Sequence, residues 1–135
     1  MRALDLTLDP PRSPRLRLAQ CDFLPRSIDK VRATLPGGNL GDYKLGGTTE
    51  LMLQTLGISL PAFTAAVAAA GSEADVATFI EGQTTSERVA EWNATLALRQ
   101  PRGGNRAEAI AVYPWLAERP DMIFLLDVLE EDDRR

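Results

Sequence analysis

Along most of the chain, apolar residues recur at spacings of three and four, which is the period of an α-helix with one buried face. In residues 25–35, for example, the pattern is carried by Ile28, Val31 and Leu35. Capping residues, glycines and prolines separate the periodic stretches, as is typical of short helices. The pattern predicts an all-α protein in which residues 1–135 form a single-domain orthogonal bundle of about six short helices.

The helices are expected to follow one another with short breaks. They are predicted over residues 25–35, 49–57, 59–71, 72–82, 84–100, 105–114 and from Asp121 onward, the sixth interrupted near Pro114. Thr84 and Glu87 have the spacing of a capping box for the fifth. The expected core consists of Leu24, Ile28, Val31, Leu51, Leu56, Ile58, Phe63, Val67, Val76, Phe79, Ile80, Val89, Trp92, Leu96, Ile110, Leu116, Leu125 and Leu129.

The two ends of the chain are expected to lie outside this helical pattern. Residues 1–13 are rich in proline, which disfavours helix at each preceding residue, so they are predicted to form an extended N-terminal arm against the body. Residues 130–135 are predicted to be a frayed acidic tail. Residues 15–23 fit two patterns, because their leucines alternate as in a strand and also match a helix kinked at Pro25.

Composition and charge narrow the class of protein. An apolar content of 44% and a charged content of 25% are typical of soluble globular proteins. No apolar run is long enough for a bilayer, and the first residues lack the apolar segment of a signal peptide, so we expect a cytoplasmic protein with no membrane partner. Arginine outnumbers lysine 13 to 2, which indicates a GC-rich, bacterial genome. A net charge of −4 argues against nucleic acid as a partner.

The charge is unevenly distributed. Residues 1–35 carry seven basic and four acidic side chains, whereas residues 118–135 carry three basic and seven acidic ones. The basic first third and the acidic tail are able to pair within the fold or between subunits. The charge distribution is therefore compatible with a homo-oligomer or with a protein partner.

Two absences exclude whole classes of chemistry. The chain has no histidine, which excludes Ser-His-Asp and Cys-His catalysis and imidazole metal sites. Cys21 is the only cysteine, so thiolate zinc clusters are excluded as well. A buried, inert Cys21 is favoured over a catalytic one. We expect no metal site and no cofactor.

Basic residues beside prolines in the first third form the candidate site. Arg26 and Lys30 share a helix face, and Pro25 places Arg26 in the first helical turn, where free N–H groups favour an anion. Two further arginines lie on the prolyl arm. Such a cluster suits a small molecule that carries phosphate or carboxylate. The candidate ligand-binding residues are Arg12, Arg15, Arg26, Asp29, Lys30, Asp42 and Tyr43.

The same residues allow two other interpretations. In the first, the charges are internal salt bridges of a structural or protein-interaction module, with an Asp22–Arg26–Asp29 network if the helix continues across Pro25. In the second, the protein is an enzyme in which Asp29 or Asp42 is the acid or base and Lys30 is the nucleophile.

Several motifs also resemble a known family. Pro-Arg-Ser-Pro-Arg at 11–15, Leu-Pro-Arg-x-Ile-Asp-Lys-x-Arg-Ala at 24–33 and Gly-Asp-Tyr at 41–43 are similar to the mainly bacterial domain of unknown function 5069 family, and the similarity runs nearly end to end. The resemblance implies no activity, substrate or catalytic residue. Two departures stand out: Ala19-Gln20 replaces a frequent glycine pair, and Leu45-Gly46-Gly47-Thr48 lacks the Cys-Pro often seen after the tyrosine. If those features belong to a site, this chain is a divergent or inactive member.

Overall fold

The structure of the protein is a computed structural model that describes residues 1–135, and it is mainly helical. This confirms the predicted all-α fold. Two two-residue strands, β1 (Arg17–Leu18) and β2 (Cys21–Asp22), precede the helices α1 (Leu24–Thr34), α2 (Gly46–Leu56), α3 (Leu60–Ala69), α4 (Glu73–Gln83), α5 (Ser86–Leu98), α6 (Arg106–Val112) and α7 (Leu125–Asp133). Short 3-10 segments at Pro101–Gly104 and Pro114–Glu118 flank α6.

Local capping chemistry explains several helix ends. The Ser59 hydroxyl accepts the Ala62 N–H at 3.2 Å and so caps α3, while Gly57 ends α2 at a φ of 77°. For α5 the predicted cap was wrong by one residue: Thr85, not Thr84, accepts the Arg88 N–H. The Thr85 hydroxyl, one residue after the predicted cap, is the group that reaches a free N–H in the first turn of α5.

The last helix differs from its prediction at both ends. α7 begins at Leu125 rather than near Asp121, because Asp121 forms an ion pair with Arg119 in the preceding turn. The helix then continues to Asp133, and Arg134 pairs with Glu131. The segment 130–135 is therefore mostly helical rather than a frayed tail, since such pairs hold the last turn.

The chain forms two compact units, Met1–Trp92 and Asn93–Arg135. The expectation of a single domain stays a prediction. In the second unit, Ala109, Leu116 and Val128 form a buried cluster. Across the chain, every expected core residue is buried except Leu51, Phe79 and Ile110, which are half-buried.

The helices are short relative to a bilayer. No single helix is long and apolar enough to cross a membrane. α2 and α3 reach that apolar length only when taken together, and the chain bends by 97° between them.

The N-terminal arm lies along α1 and the loop that follows it, and the chain turns at residues 6–8. Leu4 donates its N–H to the Arg32 carbonyl, and Leu6 donates to the Asn39 carbonyl at 2.8 Å. Asn39 in turn donates to the Leu4 carbonyl. These backbone bonds bring the arm to the helix that carries the candidate site.

Residues 15–23 adopt the extended alternative, and the kinked-helix alternative is wrong. β1 and β2 pair in antiparallel register, and Ala19 and Gln20 form the turn between them with φ angles of 50° and 62°. Phe23 follows with a φ of 75° and starts α1. Left-handed residues interrupt a right-handed helix, so the helix cannot extend backward across this segment.

Candidate functional site

Arg12 and Asp29 form the centre of the candidate site. The Arg12 guanidinium donates from Nε and Nη2 to the Asp29 carboxylate at 3.0–3.2 Å, and the Arg12 backbone N–H donates to Oδ2 at 2.8 Å. Nη2 also donates to the carbonyl of Pro25 at 3.3 Å. Asp29 lies on α1 and is only 4% exposed. One buried carboxylate thus fixes both the main chain and the side chain of the arm at Arg12.

Glu73, the first residue of α4, is a second acidic partner of Arg12. Its carboxylate forms an ion pair with Arg12 Nη2, and each of the two side chains is 35% exposed. Burial alone would lower the pKa of Arg12, but the hydrogen bonds to Glu73 and Asp29 outweigh it and raise that pKa. The guanidinium is therefore charged at every relevant pH, with a buried counter-ion on one side and an accessible one on the other.

The structure brings Arg26 and Tyr43 to the same place. Arg26 is 1% exposed, and its Nη1 donates to the Arg12 carbonyl at 3.2 Å. The guanidinium carbon lies 5.7 Å from the centre of the Tyr43 ring, within the range of a cation–π contact. Arg26 Nε is buried and makes no hydrogen bond. Four predicted site residues, Arg12, Arg26, Asp29 and Tyr43, are thus in one cluster.

The expected Asp22–Arg26–Asp29 network is not observed at its Asp29 end. Asp29 pairs with Arg12 rather than with Arg26, and Asp22 pairs with Arg17 at 2.7 Å. The network assumed that the helix continues across Pro25. The hairpin instead aligns Asp22 with Arg17 across two strands.

The other three predicted site residues are Arg15, Lys30 and Asp42. Arg15 is exposed on the arm, where its N–H donates to the Ser13 hydroxyl. The Lys30 ammonium is 5.9 Å from the centre of the Phe23 ring. Asp42 is exposed. Asp29 accepts four hydrogen bonds from Arg12, and its role as an acid or base stays a prediction.

Cys21 has the properties predicted for an inert thiol. Its side chain is completely buried, and burial raises its pKa to about 12. At neutral pH the sulfur is therefore protonated and shielded. The structure also contains no group of three or more histidine, cysteine, aspartate or glutamate residues able to hold a metal ion.

Comparison with protein families matches residues 8–135 to the family described as Domain of unknown function (DUF5069). The chain belongs to the DUF5069 family. No curated protein matches the chain. The DUF5069 match extends over both units from residue 8 onward and spans every residue of the candidate site.

The fold gives the first DUF5069 departure a conformational explanation. Ala19 and Gln20, which replace the frequent glycine pair, are the two left-handed residues of the hairpin turn. A two-residue hairpin with both φ angles positive favours glycine for steric reasons alone. The second departure, residues 45–48, falls at the start of α2, where Gly46 has a φ of 41°. In this chain, the replacement of the glycine pair by Ala19 and Gln20 therefore changes the residues of a hairpin turn.

Proposed function

We propose that the first unit binds a small carboxylate- or phosphate-bearing molecule at the exposed edge of Arg12. Nε and Nη2 of this guanidinium are bonded to the buried Asp29, and Nη2 also forms an ion pair with the partly exposed Glu73. A planar guanidinium that is held by one buried carboxylate and paired with a second, accessible one is suited to planar recognition of a carboxylate or phosphate that replaces the second. This half-anchored geometry is the observation that carries the proposal.

Glu73 is the exchangeable counter-ion in this proposal. It lies on the accessible side of Arg12, and at 35% exposure it is free to move into water. An incoming anion replaces one carboxylate with another, so the charge around Arg12 is unchanged by the exchange. Since a surface ion pair contributes about 0–1 kcal/mol, the exchange costs little.

Arg26 adds to the attraction for an anion. Arg26 is 1% exposed and donates to the Arg12 carbonyl, so its positive charge lies close to Arg12. When Glu73 moves away, the positive charge of Arg26 acts through a poorly hydrated region, where electrostatic effects are stronger than in water. The prolyl arm and Asp29 hold Arg12 in place before binding, which lowers the entropy cost.

The internal ion pairs favour a second candidate function. If Asp29 and Glu73 are permanent partners of Arg12, the cluster is a structural clamp that attaches the arm to α1 and α4. A clamp predicts that removal of either acid destabilises the protein and that no added anion compensates. The two candidates therefore differ in their response to anions.

Glu73→Gln tests the proposal, because it removes the competing carboxylate and leaves Arg12 in place. Thermal unfolding is measured with increasing phosphate and citrate, at constant ionic strength maintained with chloride. We expect Glu73→Gln to be stabilised at up to about fivefold lower anion concentration than the parent, because the competing ion pair contributes at most about 1 kcal/mol. Arg12→Ala is expected to lose the response.

Glu81→Gln is the matched control, since Glu81 is an exposed glutamate of the same helix. It should respond to anions as the parent does. If Glu73→Gln lowers the melting temperature and neither anion raises it, the cluster is a clamp and the ligand site is wrong.

We also infer a cytoplasmic location in a bacterial cell. The excess of arginine over lysine and the single, buried cysteine support this inference. Fractionation of a bacterium that expresses the chain, with immunodetection in each fraction, tests it.

A further inference from the structure

The second unit has an exposed apolar strip that consists of Leu98, Ile123 and Phe124. Their exposed fractions are 73%, 41% and 40%. The Leu125 N–H donates to the Arg99 carbonyl at 2.8 Å, which holds the segment before α7 beside the end of α5. Large apolar residues gathered on a surface in this way are typical of a docking site.

Two adjoining cavities lie along the strip. One, of about 340 Å³, is lined by Pro101 and Ile123, and the other, of about 310 Å³, is lined by Leu98. They share Gln100 and Gly104. A partner therefore has recesses for apolar side chains next to the exposed strip.

On the Leu98 side, the strip is bordered by positive charge in an acidic chain. Residues 98–106 contain three arginines and no acid, whereas the whole chain has a net charge of −4. Arg106 is engaged internally, because its guanidinium donates to three backbone carbonyls. The Arg99 and Arg102 side chains make no hydrogen bond or ion pair within the chain. Two charges are thus available to a partner.

Arg102 has an unfavourable backbone conformation. Its φ is 53°, and Gly103 and Gly104 follow with φ angles of 63° and 91°. A left-handed conformation suits glycine but is strained for arginine. Strained residues cluster at ligand clamps and binding loops.

We propose that the apolar strip, together with Arg99 and Arg102, docks an acidic segment of a partner protein that presents apolar side chains. The apolar anchors enter the recesses and the acids meet the two guanidinium groups. Two arginines beside an apolar strip fit this partner better than nucleic acid, which needs many phosphate contacts and no apolar anchors.

The test is fluorescence anisotropy with a labelled synthetic peptide of alternating Glu and Leu. The Glu–Leu peptide should bind, while Lys–Leu and Glu–Ser peptides should bind at least about tenfold more weakly, because each lacks one of the two features recognised. Binding should also weaken as salt is raised. An equal affinity for all three peptides, or no binding of the Glu–Leu peptide, would overturn the proposal.

Arg102→Gly separates binding from folding. It removes the guanidinium and relieves the strained φ, so binding should fall at least about tenfold while the melting temperature holds or rises. Leu98→Ser should weaken binding as well, and Arg134→Gly, at an exposed arginine of the same unit, should not. Unchanged binding by Arg102→Gly, or displacement of the peptide by a single-stranded oligonucleotide, would show that a different surface or a different class of partner is involved.

Discussion

Replacing Ala19 with glycine should stabilise the protein, although glycine usually destabilises. Ala19 is one of two left-handed residues in the hairpin turn, with a φ of 50°. That conformation costs an L-residue about 1–2 kcal/mol. Two effects oppose this gain. Glycine makes the unfolded chain more flexible, which costs about 0.4–1 kcal/mol of stability, and loss of a half-buried methyl group costs roughly 0.4 kcal/mol. We expect a net gain of about 0.5 kcal/mol in the free energy of unfolding.

Ala65→Gly provides the matched control, because Ala65 is exposed in the interior of α3. There the same substitution should cost about 1 kcal/mol. Both variants remove one methyl group and loosen the unfolded chain equally, so their difference of roughly 1.5 kcal/mol reports the backbone conformation at residue 19.

Urea unfolding measures both variants, with the midpoint expected to change and the slope to stay constant. If Ala19→Gly destabilises the protein as much as Ala65→Gly does, the turn does not strain Ala19 and the explanation of the glycine pair fails.

Three further predictions concern stability. Trp92→Ala should cost about 3–5 kcal/mol, because it empties a fully buried site and removes the indole N–H bond to the Asp22 carbonyl; a melting temperature within a degree or two of the parent would contradict this. The free energy of unfolding should fall as pH rises from about 9 toward 12, because burial keeps the Cys21 thiol protonated in the folded state while the unfolded thiol, with a pKa of 9.0, ionises. In urea titrations at several pH values, Cys21→Ala should lose less stability over that range than the parent does. Arg106→Met should cost about 2–3 kcal/mol in urea unfolding because it deprives three carbonyls of their donor, and an unchanged midpoint would show that water replaces it.

The helical part of the fold was predictable because its signals are local. Ile28 and Val31 repeat at the helical period, and Ser59 and Gly57 mark ends through capping within a few residues. Helix boundaries were predicted less well where a side chain had two local choices. Asp121, for example, was able to start a helix or to pair with its neighbour, and it does the latter.

The hairpin was not decidable from the sequence. Its turn residues, Ala19 and Gln20, carry none of the glycine or asparagine signals that identify such turns. Part of what holds the segment is distant in sequence: the Trp92 indole donates to the Asp22 carbonyl at 2.8 Å. Interactions across such a separation leave no trace in a local pattern.

Only part of the candidate site was predictable from the sequence. Arg12 and Asp29 were both proposed from their residue type and proline context, and they are in contact. Glu73 was missed because any of the exposed acids was equally able to reach the arm, and only the packing of α4 selects one. The nearest signal was its place in the first turn of a predicted helix, which indicates a cap rather than a partner.

The two tryptophans make each unit spectroscopically distinct. Trp92 is fully buried in the first unit and lies edge-on to Phe23. Trp115 is half-buried in the second unit, and the centre of its ring lies 4.5 Å from the Arg135 guanidinium carbon. Their fluorescence emission maxima should therefore differ, and the maximum of Trp92 should lie at the shorter wavelength. Trp92→Phe leaves one fluorophore that reports on the second unit alone, and Trp115→Phe leaves one for the first. The two variants assign the emission maxima, and denaturation curves of the parent protein followed at these two maxima coincide if the units unfold together and separate if they do not.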